Sequence, residues 1–362
     1  MKPFYQPKVI ASGLFAGLLA SLSPGAARAG DTIFVANNHD GTIGAYTTSG
    51  ATLNAALISG LHAPVGIAVS GSDLFVANLA GGGTIGAYTT SGATVNPALI
   101  SGLSAPSGIA LWGSDLFVVN GVLNGTIGEY TTSGMTVNAA LISGLNIPFG
   151  IAVSGSDLFV TNGGLLPGSG TIGAYTTSGA TVNPALISGE ILPFGIAVSG
   201  SDLFVTNGGL TPGNGTIGAY TTSGATVNPA LISGSLIDPF GIAVSGSDLF
   251  VANEANGTIG EYTTAGATVN AALISGLDDP LGVAVSGSDL FVINFAGDTI
   301  GEYTTAGATV NAALILGLDG PADIAITGSS VPEASTWVMA LTGFAALAFA
   351  GFRRARPRAA SA

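Results

Sequence analysis

Cysteine is absent from the 362 residues. That excludes a disulfide framework, a thiolate metal site and a cysteine nucleophile, and leaves burial and backbone hydrogen bonding to hold the fold. Positive charge is almost as scarce. The seven basic residues, Lys2, Lys8, Arg28, Arg353, Arg354, Arg356 and Arg358, lie in the two ends, and none falls between Gly30 and Phe352. A body with 19 acids and no fixed cation has nothing with which to neutralise phosphates, so nucleic acid is not an expected partner. Histidine, the usual base near neutral pH, occurs only as His39 and His62, and no Walker, HExxH or GxSxG sequence is present. Long hydrophobic runs are missing from the middle of the chain despite a mean hydropathy of +0.61. Gly, Ser, Thr, Asn or Asp interrupts every stretch there before it reaches ten residues, so no helix in that region could span a bilayer.

What is abundant is glycine, 57 residues of it, and repetition. The phrase SDLFVAN recurs with its Asp at 31, 73, 115, 157, 202, 248 and 289, and a period of this size points to repeat architecture. Each unit, such as Pro64 to Leu99, reads GIAVSG, SDLFVAN, GTIGAYTTSG and ATVNPALISG. These are four short runs rich in Ile, Val, Phe, Tyr and Thr, bounded by turn residues, and they predict four strands. Ile67 and Val69, Leu74 and Val76, and Ile85 and Ala87 alternate at period two, which sets one sheet face apart from the other. Seven such sheets predict an all-β, seven-bladed β-propeller over residues 30–330. Closure is written into the termini. Asp31 opens the first unit at its second strand, and the missing strand follows the seventh unit as Asp323-Ile-Ala-Ile-Thr-Gly, so a C-terminal strand completes the first blade. A β-solenoid is the alternative, disfavoured by the long repeat and the split first unit. The pattern resembles seven-bladed propellers of the NHL or YVTN kind over about 300 residues.

The two ends read as addresses. Residues 1–29 carry Lys2 and Lys8, an apolar run from Val9 to Leu22 and the small-residue sequence Ala27-Arg28-Ala29, the order of a secretory signal peptide cut after Ala29. Residues 331–362 start with Val331, Pro332, Glu333 and Ala334. They continue through an apolar helix at 337–352 and end in an arginine cluster that includes Arg353 and Arg354, an arrangement that holds the last residues in the cytoplasm. This tail resembles the PEP-CTERM sorting signal of exported proteins in Gram-negative bacteria. The resemblance implies membrane anchoring through the helix until an exosortase cuts near the motif, followed by delivery to the cell surface or extracellular matrix. Ala334 stands where the motif has its second Pro.

Length changes are confined to two kinds of loop. The loop between second and third strands lengthens at 163–170 and 208–215, and the loop from fourth to next first strand gains one residue near Asp238. In a four-stranded blade these loops share one face of the ring, the loop face, while the SGSD and TTSGA turns share the other, the turn face. Binding is expected on the loop face. That face carries Asp40, Glu190, Asp238, Glu254, Asp278, Asp279, Asp298 and Asp319. All but Glu190 are candidate Ca²⁺ ligands, since carboxylates beside Asn and without Lys or Arg suit a hard cation. The same acids also serve as solubilising charge, and the sequence calls for no cofactor. The repeated Asp of SGSD is expected to bond its own turn, the repeated Asn to take left-handed geometry, the repeated Tyr to lie in the core, and Glu129, Glu261 and Glu302 to face solvent. No catalytic residue is assigned. The reading is a non-enzymatic surface or matrix propeller contacting polysaccharide or a surface protein. The alternative is a metal-dependent enzyme of the kind that some propeller lactonases and lyases represent, for which Asp323 is the one channel-side acid.

Overall fold

The computed structural model describes residues 31–327 apart from 122, 164, 165, 167 and 210–212. The signal segment with Ala27 and Ala29, the motif Val331 to Ala334, the helix at 337–352, Arg353 and Arg354 lie outside these residues, as do parts of the two long loops. The described chain forms seven separate four-stranded antiparallel sheets. Blade 1 consists of Pro321–Ile326 innermost, then Thr32–Asn37, Thr42–Thr47 and Thr52–Ile58 outermost. Blade 2 runs Pro64–Ser70, Asp73–Asn78, Thr84–Thr89 and Thr94–Ser101. The inner strands of blades 3 to 7 start at Pro106, Pro148, Pro193, Pro239 and Pro280. Inner strands pack side by side around an axis, and Pro321–Ile326 lies between those of blades 7 and 2. The body is therefore a seven-bladed β-propeller closed by its C-terminal strand, as the split first unit predicts.

The period-two alternation has a different meaning from core against solvent. Leu74 and Val76 pack into the seam with blade 1, whereas Phe75 and Ala77 pack into the seam with blade 3. A second strand covered on both faces explains why DLFVAN is an almost continuous apolar run. The seven repeat tyrosines are buried in these seams as expected. Each ring lies across the glycine two residues earlier: a Cβ on Gly86 would sit 2.6 Å from the Tyr88 ring, which is why the third strand reads Ile-Gly-Ala-Tyr. Each outer strand reaches the next blade through a leucine. Leu57 packs on Gly92 of blade 2, and Leu314 on Gly50 of blade 1, so the outer contacts also close the ring.

The turn face is uniform. Gly71 and its counterparts at 113, 155, 200, 246 and 287 adopt φ between 57° and 62°, as a two-residue hairpin requires. Blade 1 has no such hairpin, and Thr327 replaces it: its Oγ1 accepts from Thr32 N at 2.9 Å and its N–H donates to Thr32 O. In the TTSGA turns, Thr47 Oγ1 accepts the Ala51 N–H at 2.9 Å, and the six equivalent threonines do the same. The outer strands are largely exposed and, apart from Glu190 at the end of Thr181–Glu190, carry no charge, yet their edges are blunted in another way. Asn54 Oδ1 takes the Ala56 N–H beside a break in the pairing register, and this recurs in every blade. Bulged, self-bonded edges resist edge-to-edge pairing, and Pro97, Pro184 and Pro229 add to this in blades 2, 4 and 5.

Two expectations about repeated residues are corrected. The strand-ending asparagines are not left-handed. Asn253 has φ −100°, and Asn37, Asn78, Asn120, Asn162, Asn207, Asn253 and Asn294 each donate Nδ2 to the threonine that opens the third strand. Positive φ falls instead on the residue before each inner-strand proline, namely Ala63, Ala105, Ile147, Leu192, Asp238, Asp279 and Gly320. Proline opposite asparagine supplies no N–H to the ladder, so the preceding residue turns its carbonyl to accept the N–H just beyond the asparagine, as Leu79 N donates to Ala63 O at 3.0 Å. Glu129, Glu261 and Glu302, expected to face solvent, are half-buried. Burial raises their carboxyl pKa, and the neighbouring Asp115, Asp248 and Asp289 raise it further. At the SGSD turn itself, Asp248 and Asp289 accept the hydroxyl of the preceding serine, at 3.3 and 3.4 Å.

Candidate functional site

Around the axis on the loop face, each blade contributes the residue before its proline and the residue after its asparagine. Going round from blade 1, the pairs are Gly320 and Asn38, Ala63 and Leu79, Ala105 and Gly121, Ile147 and Gly163, Leu192 and Gly208, Asp238 and Glu254, and Asp279 and Phe295. The backbone bond between the two members is the same in all seven, but the side chains differ at every blade. Blades 2 to 5 present small and apolar groups, and blades 6 and 7 present acids. Beneath them the residue following the proline is large in one arc only. Phe149, Phe194, Phe240 and Leu281 form a buried cluster, with Phe149 edge-on to Phe194 at 5.2 Å and Phe194 stacked on Phe240 at 5.0 Å. Blades 1 to 3 have Ala322, Val65 and Ser107 there. Aromatic side chains thus fill the axis on one side beneath the loop face.

Asp323 does not open onto the axis as a reactive acid. Its side chain is buried, Oδ2 accepts from Ile67 N at 2.7 Å and Oδ1 from Ile324 N at 2.8 Å. Burial raises its pKa well above the usual carboxylate value, and the two N–H bonds oppose that shift. Blades 2 to 7 carry Gly here, at 66, 108, 150, 195, 241 and 282, and a Cβ on Gly66, Gly195 or Gly241 would press on the neighbouring inner strand. The aspartate instead spans the junction between the closing strand and blade 2. Thr161 and Thr206 make the comparable bridge in blades 4 and 5: Thr161 Oγ1 accepts from Gly150 N at 2.7 Å and donates to Phe194 O at 3.0 Å.

The loop-face acids are dispersed. His39 Nδ1 lies 3.0 Å from Asp319 Oδ1, across the closure of blade 7 on blade 1, with Phe295 edge-on to the imidazole. Asp40 Oδ1 accepts the Thr42 hydroxyl at 2.8 Å, and Asp298 Oδ1 accepts Gly320 N at 2.9 Å. Glu254 is buried in a 3-10 turn, Asp238 and Asp279 occupy left-handed positions, and Asp278 is exposed. Among the described residues no three acidic or histidine side chains come together as a metal-holding group.

Two features of the loop face escape the sequence. Glu190 stands where other repeats have a buried leucine, such as Leu103 or Leu145, and its Oε1 accepts the Tyr220 hydroxyl of the next blade at 2.6 Å. Burial raises the Glu190 pKa while its bonds to Tyr220 and Asn207 oppose the rise, and the phenol is pushed far up. Glu190 thus sits at the seam of the two blades with the longest loops. Polar grooves also open along the seams. One of about 330 Å³ between blades 6 and 7 is bounded by Ser275, Asp278, Asn294, Gly297, Thr299 and Tyr303, and one of about 280 Å³ between blades 2 and 3 by Ser101, Asn120, Tyr130 and Thr136.

No protein-family model matches the chain, and no curated protein does. Solved structures do. A functionally unknown protein from Desulfotomaculum acetoxidans superposes with TM-score 0.62 at 19% identity over 82% of this chain and 98% of its own. A chain of a nidogen/laminin complex gives 0.53 at 16% identity over 83% of this chain and all of its own. A catalytically inactive virginiamycin B lyase from Staphylococcus aureus, solved with quinupristin, gives 0.51 at 18% over 69% and 84%. At these identities what is shared is the fold, and the chain is a β-propeller whose structural neighbours include both an enzyme and a member of a protein–protein complex.

Proposed function

We propose that this chain is an exported, non-enzymatic propeller that binds or scaffolds through its loop face, with a neutral polysaccharide or a surface protein as partner. The observation that carries the reading is the division between the faces. Seven identical threonine-closed turns hold one face, while the other presents a different pair of residues at each blade on one backbone frame. A rigid frame with variable loops is how folds usually present binding groups. The absence of Lys and Arg in the body, with hydroxyl and amide groups along the seams, favours an uncharged, hydroxyl-rich partner over an anionic one. The nidogen/laminin neighbour supports protein binding on the same frame, and the lyase neighbour keeps catalysis as an alternative without supplying residues for it. Export follows from the signal-like residues 1–29 and the PEP-CTERM-like tail, whose exosortase would release the body or pass it to the surface.

The test is co-sedimentation of the purified chain with insoluble neutral polysaccharide and with envelope material from a producing strain. Retention that is lost when Leu79, Ile147 and Leu192 on the loop face are changed to serine supports the reading. Retention in neither preparation contradicts it.

A further inference from the structure

We infer that the groove between blades 6 and 7 is a subsite for one neutral sugar ring, recognised through adjacent hydroxyl groups. This rests on the polysaccharide reading above and gives it a location. In blade 1 the threonine that opens the third strand, Thr42, donates its hydroxyl to Asp40 at 2.8 Å, and in blade 6 Thr258 donates to Asn256 at 2.9 Å. The matching position in blade 7 is Gly297, which has no side chain to offer Thr299. Thr299 Oγ1 accepts from Asn294 Nδ2 at 3.0 Å, so its own proton is left to point elsewhere. The deletion also opens space: a Cβ on Gly297 would lie 3.4 Å from both Asn294 Cβ and Asp278 Cβ, at the centre of this wall of the groove.

The groups around that space are unequally satisfied. Asn294 is 4% exposed, and its Oδ1 is buried without a hydrogen-bond partner. The same orphan recurs in five other blades, and in blade 2 it also meets a glycine, Gly82, two residues before the threonine, so what sets this seam apart is the added Asp278 carboxylate at the rim, where blade 1 has His62. An unmet hydroxyl donor beside an amide oxygen and a carboxylate is complementary to a pair of neighbouring hydroxyls, each both donor and acceptor. At about 330 Å³ the space far exceeds a single water and suits a ring-sized guest. The groove between blades 2 and 3 is an internal control. It lacks a carboxylate, and Asn120 Oδ1 is already occupied by Ser104 N at 2.7 Å.

The test uses saturation-transfer NMR on the purified full chain with glucose, galactose, mannose and N-acetylglucosamine as probes. At least one should give a signal. Gly297→Asn, which installs the residue blade 6 uses and leaves the backbone unstrained, should weaken it by about tenfold or more, as loss of the site requires. Asp278→Asn should weaken it less, and Thr136→Ala in the control groove should leave it unchanged. Thermal melts confirm that each variant is folded. Absence of signal with all four sugars, or a signal that survives Gly297→Asn, overturns the inference. If the chain still sediments with polysaccharide in that case, only the groove is wrong; if sedimentation also fails, the wider reading falls with it.

Discussion

On the turn face, blades 1 to 7 repeat the same threonine bond to the residue four positions on, whereas on the loop face the residues after the repeated asparagines are Asn38, Leu79, Gly121, Gly163, Gly208, Glu254 and Phe295. Both faces terminate the same strands, so the difference does not come from the fold. It lies in what holds each end. Turn-face geometry depends on specific side chains, the threonine hydroxyl and the hairpin glycine, which leaves little freedom to change. Loop-face geometry depends on the repeated asparagine–threonine bond and on a backbone bond from the residue after asparagine to the carbonyl before proline, and the two residues joined by that backbone bond can carry any side chain. Variation is thus permitted where the frame is held by main chain.

Four changes sharpen or break that comparison. The largest effect is expected for Phe194→Ala, which removes the centre of the buried aromatic cluster beneath the loop face and should cost about 3–5 kcal/mol in urea unfolding. A cost below about 1 kcal/mol would mean the cluster is a loose filling and not part of the frame. A smaller effect, about 1 kcal/mol, is expected when a turn-face threonine is changed, as in Thr89→Val, which deletes the hydroxyl that closes the turn. Replacing Leu79 by Ser on the loop face should cost less than this if the backbone bond there carries the geometry, because Leu79 is only half-buried.

The fourth change reads out pH. Glu190, Asp323, Glu129, Glu261 and Glu302 all have carboxyl groups whose pKa is raised in the folded chain, first of all by burial. A raised acid binds its proton more tightly when folded, so its contribution is fully present below the unfolded value and is lost as pH rises through the folded one. With no body cation to offset this, unfolding midpoints should climb as pH falls from 7 toward 5. Glu190→Gln should be more stable than the parent at pH 7, on the order of 1 kcal/mol, with the gap closing below the ordinary glutamate value of 4.5. A midpoint that falls on acidification would contradict this balance.

The ring, the number of blades, the closing strand and the division into two faces were legible in the residues, because each is a matter of period and count. The buried tyrosines were legible for the same reason. What was hidden depends on partners brought from elsewhere in the chain. Asp323 reads as a channel-side acid until Ile67, 256 residues away, is placed against it. Glu129 reads as solvent-facing until the antiparallel register sets it near Asp115. The repeated left-handed positions went to the residues before proline and not to the strand-ending asparagines, since proline's missing N–H decides which carbonyl must turn. Gly297 is one glycine among 57, and only comparison with Asp40 and Asn256 in their bonded positions shows that it leaves a hydroxyl unserved. The dispersed loop-face acids were legible as a cluster in one arc, but their spacing in three dimensions was not.

The most direct test of the two-face account is hydrogen exchange of the chain with and without the polysaccharide or envelope partner that retains it. The expected result is added protection in the loop-face segments around residues 59–64, 78–84, 275–280 and 294–299, with the SGSD and TTSGA turns unchanged. Protection concentrated in the turns, or spread evenly over both faces, would contradict it.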